Sequence, residues 1–284
     1  MKKSKTWFFL FLYPSAFTNF ATQTYHRFMK KINVLLILSV MAGLTACHTS
    51  KPLHVCGVER TRLLVDNRYD ASIPAELTDF LAPYAHIVDS VSSPIVGHTT
   101  RTLRSGRPES PLSNLLADIM VWAGPAFDEK PDLGVYNMGG IRAALPKGAV
   151  NYGNVVDMAP FDNYISFLTL SGEELLELFR QIAANGGEGV SHGVQLVITP
   201  DGQLVSASLH GRSIDPAAHY RIATIDFLAK GNDGLIAFKK KRDYRIPSKT
   251  NTKACLIIAD YFRAAETAGQ TVDAQVEGRI TVAE

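Results

Sequence analysis

Apolar positions recur at helical spacing in four stretches of the chain. From Pro74 to about Ser90, Leu77, Phe80, Leu81 and Tyr84 share one stripe, and Pro83 inside it predicts a kink or two shorter helices. Ser110-Pro111 supplies an N-cap serine with proline at the first helical position, ahead of a buried face of Leu112, Leu115, Leu116, Ile119 and Met120. Ser171-Gly172-Glu173-Glu174 has capping-box spacing and opens a helix carrying Leu175, Leu176, Leu178, Phe179 and Ile182, which Asn185-Gly186-Gly187 stops. A last long helix is predicted over Asn251 to Ala268.

Between these stretches the pattern changes to strands. "TRLLVDNRY" (61–69) reads as a first strand, followed by "PIVGHTTRTLRS" (94–105), Asp132 to Tyr136, Tyr164 to Leu170, "HYRIATIDF" (219–227) and "VEGRITV" (276–282). "GVQLVITPDGQLVSASLHG" alternates on both sides of Asp201-Gly202, the signature of a β-hairpin. Val150 to Ala159 reads as a short connection. Mixed strands and helices with a hairpin favour an α/β (α+β) fold: a single layered domain over 61–284, with mixed β-sheets flanked by helices.

The first residues have another character. Residues 29–47 read "MKKINVLLILSVMAGLTAC": two lysines, an apolar run too short to span a bilayer comfortably, then small residues before Cys47. This resembles a bacterial lipoprotein signal, in which the cysteine is lipidated; ordinary signal cleavage and an uncleaved anchor are the alternatives. Residues 1–28 then stand as a mis-annotated or extra extension, 29–46 as the signal peptide, and 47–60 as a tether. The expected location is the cell envelope, lipid-anchored on a periplasmic or outer-membrane face. Six basic residues and no acid precede Cys47, so their removal takes the formal charge from +2 to −4 and leaves 238 residues, enough for one sizeable core. That balance gives no case for nucleic-acid binding. Cys56 and Cys255 remain, in a compartment that permits a disulfide between them.

Four loops carry candidate chemistry. In "NMGGIR" (137–142), Arg142 beside Gly139-Gly140 reads either as a turn with a surface arginine or as a cradle for an anion. In "RTLRSGRPESPLSN" (101–114), Arg101, Arg104 and Arg107 crowd a helix start, a place that favours anions; the alternative is a solvated loop paired with Glu109. In "APFDN" (159–163), Phe161 is either core or a face for a planar ring, with Asn163 able to bond a base edge. In "TIDFLAKGNDG" (224–234), Asp233 is either a turn-former or an acceptor for sugar hydroxyls.

Together the four segments resemble the C-terminal domain of the 5'-nucleotidase / UDP-sugar hydrolase family. The family's Asn-Gly-Gly-Gly-Ile-Arg loop is matched by Asn137 to Arg142, with Met138 at the first glycine. Its Pro-Phe-x-Asn is matched by Pro160 to Asn163, and its Asp/Asn-Phe-Leu-Ala-x-Gly-x-Asp-Gly by Asp226 to Gly234. The likeness runs from about Ile95 to Glu284. It implies a nucleobase held between Phe161 and Phe227, Asn163 toward the base and Asp233 toward the ribose. On the phosphate side it implies Asn137, Gly139, Gly140 and Arg142, with Arg104 and Arg107 matching by neighbourhood alone. It also implies a metallophosphatase domain bearing Asp-x-His, Gly-Asp and Gly-Asn-His motifs. None of these motifs occurs in the sequence, and no histidine after Cys47 has a partner at metal-motif spacing. The expectation is therefore a chain with no catalytic residue, metal ligand or cofactor of its own. It would recognise a nucleotide or nucleoside as one half of a split 5'-nucleotidase whose metallophosphoesterase, with its divalent metals, is a separate protein. A stand-alone nucleotide- or nucleoside-binding lipoprotein is the alternative, ahead of an autonomous hydrolase using Asp226 and Asp233.

Overall fold

The computed structural model describes residues 29–36, 39, 55, 57–64, 66–68, 73–248 and 250–283. The chain divides into two compact units, Met1–Ala71 and Ser72–Glu284. In the first, residues 29–36 are helical (α1), and no described helix of the chain is long and apolar enough to cross a membrane. Cys47 and Cys56 lie outside the described residues. The strand expected over 61–69 does not form among residues 61–64 and 66–68. Asp66 instead accepts the Arg68 backbone N–H at 3.1 Å and its Nε at 2.7 Å, a local turn that competes with extension.

The second unit begins with α2 (Ala75–Ser92), one continuous helix through Pro83 rather than two. Its stripe of Leu77, Phe80, Leu81 and Tyr84 faces solvent. Next come β1 (Ile95–Thr99), α3 (Pro111–Trp122), β2 (Leu133–Tyr136), β3 (Gly148–Asn151) and α4 (Tyr152–Met158). Helix α4 corrects the reading of 150–159 as a plain connection: Asn151 and Asn154 form a reciprocal capping box that starts it. Then follow β4 (Ile165–Ser171), α5 (Gly172–Ala184), β5 (Gly189–Val190), β6 (Val194–Ile198), β7 (Leu204–Leu209), β8 (Arg212–Ser213) and β9 (His219–Ile225). The chain ends with α6 (Asp226–Ala229), β10 (Arg242–Arg245), α7 (Ala254–Thr267) and β11 (Ile280–Val282). Residues 226–227 are thus helical, not the end of a strand.

A five-stranded sheet in the order β10-β4-β9-β2-β5 forms the centre, with a four-stranded sheet β11-β6-β7-β8 and the pair β1-β3 beside it. Leu112, Leu115, Leu116, Ile119 and Met120 of α3 and Leu175, Leu178, Phe179 and Ile182 of α5 are buried with the sheet in one core, as their spacing predicted. The expected caps are in place: Ser110 on α3 and Ser171 with Glu174 on α5.

The central sheet positions the loops through strand direction. β2 and β9 are parallel, so the segments after Tyr136 and after Ile225 leave from the same edge. β4 is antiparallel to β9, with Ile165 opposite Ile225, so the segment 160–164 enters at that edge. β5 is antiparallel to β2, with Gly189 opposite Tyr136, which brings Glu188 there as well. Ligands of open sheets with parallel strands gather at such carboxyl ends.

Candidate functional site

At this edge Asn137, Gly139, Gly140, Phe161, Asn163, Phe227 and Asp233 line one cavity of about 130 Å³. They come from three segments widely separated in sequence. The volume is below the few hundred Å³ of a pocket for a whole drug-sized molecule, and suits one planar ring with the rest of a ligand at the rim.

One wall is the Asn137–Gly140 turn. The Asn137 Nδ2 donates to Asp233 Oδ2 at 2.6 Å, which fixes the carboxamide and leaves its Oδ1 buried with no hydrogen-bond partner. A Cβ on Gly140 would stand 2.6 Å from that Oδ1, so the second glycine makes room for Asn137. Gly139 is exposed and lies against the Asp233 carboxylate. Asp233 takes a left-handed backbone, φ 53°, and its carboxylate reaches across to the Asn137 turn.

The aromatic faces come from the other two segments. Phe161 is 47% exposed, on the loop before β4, and Phe227 is half-buried on α6. Asp226 brackets them: its Oδ1 accepts the Tyr164 backbone N–H at 3.0 Å, and the Tyr164 carbonyl accepts the Asp226 N–H at 2.8 Å. Its Oδ2 pairs with Lys230 Nζ at 2.6 Å, which raises the Lys230 pKa. Asp226 is therefore engaged on both oxygens. Sequence reasoning assigned it no part in placing the rings; its signal is a carboxylate immediately before a phenylalanine that lines the cavity.

The arginines divide. The Arg142 guanidinium lies 5.8 Å from the centroid of Phe161, a cation–π distance, and its backbone N–H is held by the Met158 carbonyl at 2.9 Å. Leu103 pairs with Leu145, which brings the exposed Arg104 alongside the Arg142 segment; among the described residues the Arg104 side chain has no partner. Arg101 points away, bound to Asp273. Arg107 is bound as well, to Glu188 at 2.9 Å, to the Asn185 carbonyl at 2.8 Å and to the Gly187 carbonyl. None of Arg104, Arg107 and Arg142 lines the cavity itself.

The α3 start is closed to an anion from outside. Ser110 Oγ takes the Ser113 N–H at 3.3 Å, the Arg104 carbonyl faces the Leu112 N–H at 3.4 Å, and Pro111 has no donor. Glu109 accepts from Asn114 and from the Glu277 backbone rather than from an arginine. Cys255 is a free thiol, with the Tyr152 hydroxyl 4.0 Å from its sulfur. Among the described residues no group of three or more His, Cys, Asp or Glu side chains converges as metal ligands would.

The family model described as "5'-nucleotidase, C-terminal domain" matches residues 95–240. An apyrase of Tabanus yao is 34% identical over 138 residues, 41% of this chain and 25% of that protein. Protein UshA of Escherichia coli (strain K12) is 24% identical over 172 residues, 60% of this chain and 31% of its own length. The chain thus spans a quarter to a third of these curated relatives. The solved structure of a 5'-nucleotidase precursor from Thermus thermophilus aligns with TM-score 0.62 and 26% identity, covering 73% of this chain and 43% of that one. The NAD nucleotidase of Haemophilus influenzae shares the fold, with TM-score 0.54 at 18% identity, and the alignment covers 74% of this chain and 42% of that one.

Proposed function

The chain belongs to the 5'-nucleotidase C-terminal-domain family, and we propose that it is the nucleotide-recognition part of a split 5'-nucleotidase. The observation that carries this reading is the single cavity lined by seven of the ten residues the motifs single out. A nucleobase inserted between Phe161 and Phe227 gains about 1–3 kcal/mol from stacking. Asn163 faces its edge, and Asp233 accepts from a ribose hydroxyl. The buried Asn137 Oδ1, unpartnered in this structure, gains a partner if a ligand donor reaches it. Arg142 leaves Phe161 for the phosphate, joined by Arg104.

Cleavage requires a water activated by metal ions, which a separate metallophosphoesterase would supply. This chain's residues hold and orient the substrate. Its location in this reading is the cell envelope, through a lipid on Cys47.

Calorimetric titration tests the site. The full chain should bind AMP at micromolar concentration, and Phe161→Ala and Phe227→Ala should each lose at least tenfold. Adding the chain to the metallophosphoesterase encoded beside it should lower the KM for AMP. Retained affinity in both alanine variants overturns the sandwich. AMP binding with no responding phosphatase overturns the split enzyme and leaves the stand-alone nucleotide-binding lipoprotein.

A further inference from the structure

Glu188 is a carboxylate with 1% of its side chain exposed, and no step of the proposed recognition uses it. It follows α5 and the Asn185-Gly186-Gly187 segment, which was expected only to terminate that helix. Gly187, at φ 112°, leaves no space for a side chain: a Cβ there would run into the Pro108 carbonyl. The turn is thereby pressed against the arginine-rich loop, and the Glu188 side chain that follows is buried.

Its two oxygens reach three loops. Oε2 accepts the Met138 backbone N–H at 2.6 Å. Oε1 accepts from Arg107 Nη2 at 2.9 Å and from Asn185 Nδ2 at 3.2 Å. The same Asn185 Nδ2 donates to the Asp233 carbonyl at 2.8 Å, and the Asp233 carboxylate holds Asn137, the residue next to Met138. The contacts form a closed ring: Glu188, Met138, Asn137, Asp233, Asn185 and Glu188 again. A buried carboxylate needs a cation and donors to offset its lost hydration, and Arg107 is that cation.

We infer that Glu188 is the positioning residue of the phosphate and ribose part of the site: it fixes the Asn137–Arg142 turn and the Asp233 loop relative to each other, with Arg107 as its structural counter-ion. This deepens the nucleotide-site reading and rests on it for the ligand, but not for the geometry. It assigns phosphate contact to Arg142 and Arg104 and takes Arg107 out of that role. It also accounts for Met138 at the family's glycine: Glu188 uses only the backbone N–H, which any residue but proline offers.

Hydrogen–deuterium exchange on the full chain without ligand tests the geometry. In Glu188→Gln one acceptor becomes a donor facing either Arg107 or Met138. Amides 138–141 and 231–235 should then exchange at least tenfold faster, while those of β4 and β9 keep their rates. Unchanged protection in both segments overturns the inference. If this variant does not accumulate folded, Asn185→Ala decides. It should loosen 231–235 and spare 138–141; no effect on 231–235 counts against the ring.

Calorimetry then reads the consequence. Glu188→Gln should weaken AMP at least tenfold and adenosine by a smaller factor, because adenosine loses only the Asp233 contact to its ribose while the aromatic faces are set elsewhere. An equal loss for both ligands, tracking a fall in melting temperature, means that Glu188 is merely structural. If the wild-type chain binds neither ligand, the nucleotide reading fails, and the exchange result still judges the positioning.

Discussion

Gly140 shows how much one residue in this site depends on its neighbour. The motif pairs it with Gly139, and read alone the pair suggests open space for a ligand. Both line the cavity, but the structure separates what they do: a side chain on Gly139 would meet only the Asp233 carboxylate at contact distance, while the space at Gly140 is taken by the Asn137 carboxamide. Gly140→Ala would push that carboxamide off Asp233 and disturb both walls. AMP affinity should fall at least tenfold by calorimetry, with a melting temperature lower by about 2–4 °C, the shift expected of about 1 kcal/mol in a domain of this size. Unchanged affinity would show that Asn137 is not held for the ligand. Arg107 teaches the converse. Its charge and neighbourhood are legible in the sequence, but the buried carboxylate 81 positions later that occupies it is not.

Elements with strong local signals were readable because their causes are local. The Ser171–Glu174 box and the apolar face of α5 both lie within one short stretch, and the structure keeps them. Helix α4 was missed because its box uses two asparagines, which read equally well as a turn, and because seven residues give little periodicity. Helix α2 shows a different limit. Its apolar stripe is legible, but periodicity identifies a face and not what covers it, and here Phe80 and Ile87 stay in solvent. Glu174 adds a pH dependence to α5. Arg242 grips its carboxylate at 2.6 and 3.0 Å and, with the Ser171 N–H, holds its pKa down at about 2 against the opposing effect of burial. A folded-state value below the ordinary 4.5 means that this stabilisation is complete above pH 4.5 and is lost as pH falls toward 2. The wild-type melting temperature should therefore drop between about pH 5 and 2. Glu174→Gln should be less stable at pH 7 by about 1–2 kcal/mol, melt at a correspondingly lower temperature, and decline less steeply with acid. Parallel melting curves across that range would remove Glu174 as a cause.

At the scale of the whole molecule, what the sequence withheld was topology. Motif spacing names the three loops, but their meeting depends on β2 and β9 running parallel with β4 and β5 reversed, and no local pattern states that order. The same scale poses the question of where this assembled site operates. The second unit begins at Ser72, 25 residues after Cys47 in the sequence. A single acyl chain binds membranes marginally, whereas several chains on one cysteine anchor stably. If Cys47 is lipidated, the full chain expressed in a bacterial host should incorporate labelled palmitate and partition into the detergent phase. Cys47→Ser should enter the aqueous phase with its AMP affinity unchanged, because the cavity lies wholly within the second unit. A wild-type chain found in the aqueous phase would refute the anchor while leaving the nucleotide site untouched.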